Sequence, residues 1–444
     1  MFPSSTNTKC AQAHYDLPIH VNVSDHQSGL ETSCKFVQLD QESDQQDFKS
    51  DASFAVHLSR RYLKVLGIWR SDDQFFWRLI TNISMLICYF GLGMSVVPTF
   101  IFIAVKVEDP IGKIRLIGPW SFCLMAALKY YFLRSHRCDI ENCMKNIELD
   151  WIRIEYKSRR DVMLEHARYG HLVTMICAGF TYSGGLLFAI LPFVLGNLGP
   201  FEASNGNISR SHSLPSHFVF FDASETPAYE IIYFIQVITT FMMHSITVAS
   251  YSVAVVIVMH ACGQLKLLMD KITQLVENED GKKERSLDDR MSDVISHHVR
   301  TLRFISSAER MLREICLVDL GGCTLNLCFL GYFTLLEWGA EKTDFIAIMT
   351  YLTLFTSFLF NVFSFCYIGE LLTGECAKVG EITYMIDWYR LPSKKSVGLC
   401  LVIAMAHSPV TLTAGGAIQL SFACFASVVK TSMGYLNMLR AVMV

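Results

Sequence analysis

Long apolar runs separated by charged loops dominate this chain. They occupy 79–104, 116–133, 169–195, 228–262, 314–336, 345–372 and 397–439. The first, Leu79 to Ala104, holds 26 residues without a charge, more than the ~20 that cross a bilayer core. The fourth exceeds one crossing and is expected to tilt or to continue as helix beyond the bilayer. The last is interrupted at His407-Ser408-Pro409, so it divides into 397–406 and about 412–439. The first of these pieces is too short to span alone. The pattern therefore predicts an all-α membrane protein with seven transmembrane helices, its seventh region split into a cytoplasmic and a membrane helix.

Two amphipathic stretches lie between or before the runs. Phe54 to Trp69 mixes basic and aromatic residues, which suits a cytoplasmic helix at the membrane surface. Between Arg290 and Leu317, Ile295, Val299, Leu302, Ile305, Leu312 and Ile315 recur mostly at three or four residues, with Ala308 in the gap. Arg300, Arg303, Glu309, Arg310, Arg313 and Glu314 occupy the other face, an amphipathic helix rising into the fifth crossing. Packing on its own subunit and forming a cytoplasmic subunit interface both fit that spacing. Residues 1–53 are rich in Gln, Ser and Asp and read as a disordered cytoplasmic extension. They offer no apolar core before a cleavage site, so the Leu79 segment is expected to act as its own insertion signal.

Charge placement orients the crossings. Of 38 Lys and Arg, 30 fall in the N-terminal tail and the second, fourth and sixth loops, and 5 in the first, third and fifth. The positive-inside rule puts the N-terminus in the cytoplasm and the C-terminus outside. That is the reverse of a G-protein-coupled receptor, and the Asp-Arg-Tyr and Asn-Pro-x-x-Tyr motifs of that class are also missing. No internal repeat suggests an inverted-repeat transporter. The third loop then faces outside and carries the acceptor triplet Asn207-Ile208-Ser209, a candidate N-glycosylation site.

Composition adds less. The chain is 52% hydrophobic and 18% charged, with net charge −3, which argues against a soluble fold and gives no support for nucleic-acid binding. Its 15 cysteines contain no CxxC pair, so they read as packing residues, with no metal or cofactor implied. No nucleophile elbow, phosphate loop or HExxH motif marks an enzyme. Glu370 and Glu375, at the cytoplasmic end of the sixth run, are expected to pair with Lys or Arg. Lys129, near the inner end of the second run, is expected to snorkel to the interface. In the terminal helix, Ser427, Thr431, Gly434, Tyr435, Met438, Ala441 and Val442 form one stripe. Several copies around an axis would line a water path with a hydrophobic outer constriction; close packing of small residues against neighbours fits the same spacing.

The stretch Phe363-Ser-Phe-Cys-Tyr-Ile-Gly-Glu-Leu-Leu-Thr-Gly-Glu375, then Asp387-Trp-Tyr-Arg-Leu-Pro392, Leu412-Thr-Ala-Gly-Gly416 and Phe425-Ala-Ser-Val-Val-Lys-Thr-Ser432 resembles the insect odorant receptor family. Arg60 to Gly67 and His260 to Leu265 are similar to its upstream patterns. The long fourth loop of the shared odorant co-receptor is missing, so the chain resembles a ligand-tuned subunit. The resemblance implies a heterotetrameric, ligand-gated, non-selective cation channel, assembled with that co-receptor in the plasma membrane of an olfactory neuron dendrite. On this reading, 54–262 holds membrane helices 1–4 with the outer pocket, 263–313 a cytoplasmic linker and anchor helix, and 314–444 helices 5–7 with the pore. It carries the pore and gate onto Thr431, Tyr435, Met438, Ala441 and Val442. It places a small volatile ligand, by position, near Phe122, Met125, Tyr182, Phe188, Tyr233, Gln236, Met349 and Tyr351. A metabotropic seven-helix chemoreceptor signalling through a partner is the alternative.

Overall fold

The computed structural model describes residues 50–69, 75–154, 156–195, 228–276, 286–339 and 345–443. Helix α1 covers 50–65. It is followed by α2 (Phe75–Val105), α3 (Pro110–Ser135), α4 (Arg137–Ile152), α5 (Lys157–Leu195), α6 (Ala228–Thr273), α7 (Leu287–Trp338) and α8 (Phe345–Met385). After a 3-10 turn at Trp388–Arg390 come α9 (Ser393–Ala406), a two-stranded antiparallel hairpin of β1 (Thr413–Ala414) and β2 (Ile418–Gln419), and α10 (Phe422–Met443). Residues 1–49 of the expected extension and the triplet at Asn207 lie outside the described residues.

Among the described residues, α2, α3, α6, α7 and α8 are long and apolar enough to cross a membrane. The 39-residue α5 and the 22-residue α10 match the other two expected crossings in length alone. α10 is less apolar because it carries Ser427, Lys430, Thr431 and Ser432. At 1.5 Å per residue, the 52 residues of α7 reach about 78 Å, more than twice the ~30 Å hydrocarbon core. Its first half therefore stands in the cytoplasm, as the charge placement requires, beside α4, the end of α6 and α9. α6 is the axis of the chain: 83% of its most apolar window is buried, against 17% for α8. α2 instead turns Leu79, Ile83, Leu86, Phe90 and Phe100 outward, an apolar face suited to lipid.

Two expectations change. The 54–69 segment packs on its own chain through its apolar face, where a membrane-surface helix was expected to turn that face to lipid. Its apolar face (Ala52, Ala55, Val56, Leu63) is buried in the chain's own core, and its polar face pairs Asp51 with Arg160 of α5 at 2.6 Å and Arg60 with Glu148 of α4. Phe54 also packs on His171 of α5, ring centroids 4.3 Å apart. The terminal helix begins at Phe422, ten residues beyond Leu412. Gly415 and Gly416 adopt φ of 65° and 76°, a conformation open to glycine at little cost, and they fold 413–419 into a hairpin. The hairpin is tied to α7 by the Gly415 N–H, which donates to the Arg313 carbonyl at 2.9 Å. The 290–317 helix buries Ile305, Ala308, Leu312 and Ile315 within its own chain, while Ile295 and Val299 remain half-exposed.

The hairpin meets α8 where no side chain fits. A Cβ at Gly369 would collide with the Leu420 carbonyl oxygen and lie 2.7 Å from Leu420 Cβ, whereas one at Gly374, a turn further along α8, would meet nothing within 4 Å. Gly369→Ala is expected to cost about 1–3 kcal/mol through overpacking and to lower the melting temperature of the detergent-extracted chain. Gly374→Ala is expected to gain about 0.5–1 kcal/mol from helix propensity. Equal melting of the two variants would show that the hairpin does not clamp α8.

Candidate functional site

The outer half of the bundle encloses an apolar cavity of about 130 Å³ between α3, α5, α6, α7 and α8. α3 starts locally: Asp109 accepts the Gly112 N–H at 2.7 Å and Pro110 occupies the first helical position, a strong N-terminal signal. It then presents Leu116, Pro119 and Phe122 to the cavity. α6 contributes Thr240, Met243, His244 and Thr247; α7 contributes Asn326, Phe329 and Phe333; α8 contributes Tyr351, Leu354, Phe358 and Asn361. On α6 and α8 these fall at steps of three and four residues, so each helix offers one stripe.

Aromatic rings form the wall. The Phe122 ring lies 5.0 Å from His244 and 5.8 Å edge-on from Phe358, and Phe333 lies 6.1 Å from Tyr351. At the rim, Arg115 sits over the Phe333 ring at 5.8 Å and reaches Glu337 at 3.4 Å. Polar groups are few, and their donors are committed. His244 Nδ1 donates to the Thr240 carbonyl at 2.7 Å, leaving Nε2 as an acceptor. The Thr240 and Thr247 hydroxyls donate to carbonyls one turn back. Asn326 Nδ2 donates to Ser121 Oγ at 2.9 Å and to the Gly322 carbonyl at 2.8 Å. An apolar cavity of about 150 Å³ holds a benzene-sized molecule, so this one suits a ligand of that class whose polar group donates.

Beneath the cavity lies a buried ion pair. Lys129 does not snorkel: its side chain is 1% exposed and its Nζ contacts Asp319 Oδ1 on α7, whose side chain is 4% exposed. Asn361, part of the cavity lining, donates from Nδ2 to the same carboxylate oxygen at 3.3 Å. Asp319 Oδ2 is buried without a hydrogen-bond partner. The network joins α3, α7 and α8.

The expected ligand residues distribute unevenly. Phe122 and Tyr351 line the cavity. Met125 and Gln236 are buried on the same helical stripes, one turn away from it; Met125 Sδ accepts from Asn326 Nδ2 at 3.6 Å. Tyr233 is half-buried one turn further out on α6. Tyr182 bonds Ser245 at 2.8 Å across α5 and α6, outside the lining. Met349 is 55% exposed, two residues from Tyr351 and so on the opposite side of α8. Phe188 falls within α5, but its side chain lies outside the described residues. His244, Phe329, Phe333, Phe358 and Asn361 were not anticipated. His244 and Asn361 carry a signal, a polar residue inside an apolar run, whereas Phe329, Phe333 and Phe358 carry none that sets them apart from other apolar residues of their runs.

α10 packs on α7 and α8 through Cys424, Val428, Ser432 and Leu436, an i, i+4 stripe. Ser432 Oγ donates to the Thr324 carbonyl of α7 at 3.2 Å. Ser421 caps the helix by accepting the Cys424 N–H at 3.2 Å, and Glu370 of α8 accepts the Phe422 N–H at 3.1 Å. Glu370 thus meets a helix N-terminus where a basic side chain was expected, while Glu375 does pair with Lys378 at 2.7 Å. Phe363 stacks on Phe422 at 6.2 Å and meets Phe425 edge-on at 5.5 Å. Thr431, Tyr435, Met438 and Ala441 lie on the exposed face of α10, which no described residue covers. Val442 is in the last turn of the helix.

A family model described as 7tm Odorant receptor matches residues 114–433. The chain belongs to the odorant receptor family. Relatives include Odorant receptor 10 of Aedes albopictus, 24% identical over 50% of this chain and 58% of that protein, and Odorant receptor 82a of Drosophila melanogaster, 22% identical over 58% of this chain and 64% of that protein. The chain therefore spans about six-tenths of the length of these relatives. Among solved structures, the olfactory receptor OR5 of Machilis hrabei in complex with eugenol superposes with a TM-score of 0.71 at 12% identity, covering 89% of this chain and 98% of that one. A second structure of the same receptor superposes with a TM-score of 0.69, also at 12% identity. This likeness shows the shared fold: the odorant receptor chain is an all-α, multi-pass membrane protein.

The ion pair under the cavity generates a double-mutant test. Removing one member of a buried pair costs about 3–5 kcal/mol, while replacing both by apolar residues is often neutral. Lys129→Met and Asp319→Leu are each expected to reduce the folded fraction in fluorescence-detected size exclusion, and the double variant to restore it. Additive losses in the double variant would show that the two charges do not act as a pair.

Proposed function

We propose that the chain is an odorant receptor subunit of a heterotetrameric, ligand-gated, non-selective cation channel, assembled with the odorant co-receptor in the plasma membrane. A small volatile ligand occupies the cavity between α3, α6, α7 and α8. The observation that carries this reading is that one helix, α8, both lines the cavity and holds the N-terminus of α10. Tyr351, Leu354, Phe358 and Asn361 face the cavity; on the same helix, Phe363, Gly369 and Glu370 grip Leu420, Phe422 and Phe425.

Gating then follows from differential binding. A ligand shifts a conformational equilibrium only as far as it prefers one state. Filling the cavity and accepting a hydrogen bond from the ligand at His244 Nε2 or the Asn361 amide oxygen favours an arrangement of α8 that draws α10 from the pore axis. The stripe Thr431, Tyr435, Met438, Ala441 and Val442 lines the cation path, with Met438 and Val442 as the constriction that dewets when closed. Phe122 and Tyr351 contact the ligand directly, with His244, Phe329, Phe333 and Phe358 completing the wall.

Co-expression with the co-receptor is expected to give odour-evoked inward current whose onset is unchanged by blocking G-protein signalling. Tyr351→Ala and Phe122→Ala should each raise the half-maximal odorant concentration about tenfold, equivalent to about 1.4 kcal/mol, with unchanged surface expression. Met438→Ala should alter basal current or ion selectivity. Loss of the fast current under G-protein block would contradict the channel.

A further inference from the structure

At the cytoplasmic end, α4, α6 and α7 enclose a cleft of about 550 Å³, within the roughly 300–1,000 Å³ range of small-molecule sites. Its chemistry is opposite to that of the outer cavity. α7 supplies Arg300, Arg303 and Arg310, all exposed on one face, and Arg153 stands at the end of α4. The facing wall carries Asn142 and Asn146 of α4, and the floor is His260 of α6, whose side chain is 3% exposed.

Two carboxylates enter the cleft against four arginines. Asp150 accepts from His260 Nε2 at 3.3 Å and lies 3.7 Å from Arg300 and 3.6 Å from Arg153. Burial works to raise the Asp150 pKa, but the hydrogen bond and charge of His260, with Arg300 and Arg153, outweigh it and hold the group ionised below its usual value. Asp139 sits 3.4 Å from His136. That leaves two cations over. Arg303 has no ion pair among the described residues, and Arg310 bonds only the Ser307 hydroxyl, at 3.2 Å. Nδ1 of His260 is buried with no hydrogen-bond partner. Arg300 and Arg303, three residues apart on α7, repel, and among the described residues neither Arg303 nor Arg310 has a carboxylate within ion-pair distance.

We infer that this cleft binds a ligand bearing two or more phosphate groups. Guanidinium forks match phosphate oxygens in pairs, and Arg303 and Arg310, two turns or about 10 Å apart on α7, are spaced for separate phosphates on one ligand. Arg310 precedes by four residues the start of the fifth crossing expected at 314. An inner-leaflet phosphoinositide headgroup and a soluble inositol phosphate therefore both reach the site. An arginine face that is merely solvated would need neither the opposing asparagine wall nor a buried histidine floor.

The test measures binding and no current, so it stands apart from the channel reading. The full chain in phosphatidylcholine nanodiscs is titrated with radiolabelled inositol 1,4,5-trisphosphate. Saturable binding is expected, competed by inorganic pyrophosphate and weakened at least tenfold by the double variant Arg303→Gln, Arg310→Gln. Arg168→Gln, an exposed arginine on α5 outside the cleft, should bind as the parent does, and all three should melt alike without ligand. Nanodiscs doped with phosphatidylinositol 4,5-bisphosphate distinguish the sources: loss of soluble binding there assigns the site to the lipid headgroup, and its persistence assigns it to a soluble phosphate. No saturable binding, or equal binding by parent and double variant, overturns the site.

Discussion

A charge pair withdrawn from water is the constraint around which the outer half of this receptor is arranged. Lys129 and Asp319 lie on helices that cross the bilayer, and each is almost wholly buried. Neither could be tolerated there singly, because an uncompensated buried charge costs several kcal/mol. Their mutual requirement holds α3 against α7, and the Asn361 amide brings in α8. Above this polar floor the three helices diverge enough to leave a cavity, and the cavity's remaining walls are aromatic. The floor and the walls thus have different origins: the first is set by electrostatic necessity, the second by rings that meet tilted or edge-on and leave a gap.

The same helix that closes the floor reaches α10. Along α8, Tyr351 and Asn361 face the cavity, and Glu370 accepts from the first turn of α10. Between them Gly369 lets the Leu420 backbone approach closely, so α8 and the end of the hairpin are in direct contact. α10 binds its own subunit by one narrow stripe and leaves the other face open. A helix held at its N-terminus and loosely packed along its length is suited to rotate or tilt when its holder shifts.

Much of this architecture was legible in the residues. Uncharged run lengths marked the crossings, and the placement of 30 basic residues against 5 oriented them. The proline break at 409 separated α9 from the hairpin and α10. Pairing across distance stayed hidden. Lys129 lies near the inner end of its run, and Asp319, 190 positions later, is a carboxylate inside the fifth run that no motif marks. Only the packing of α3 on α7 brings them together. Helical phase was the second difficulty: Met349 and Tyr351 are two residues apart, yet one is exposed and the other lines the cavity. The hairpin at 413–419 was masked by its apolar composition, although Gly415-Gly416 carried the signal for a turn.

On the proposed function, occupancy of the outer cavity opens the channel. Ser357, which lines the cavity on α8, can be replaced by cysteine and tethered to a benzyl group with benzyl methanethiosulfonate in the complex with the co-receptor. A lasting cation current is then expected without odorant, reversed by reductant and not seen in the identically treated parent. Complete labelling of Ser357→Cys with no change in current, at rest or in response to odorant, would contradict it.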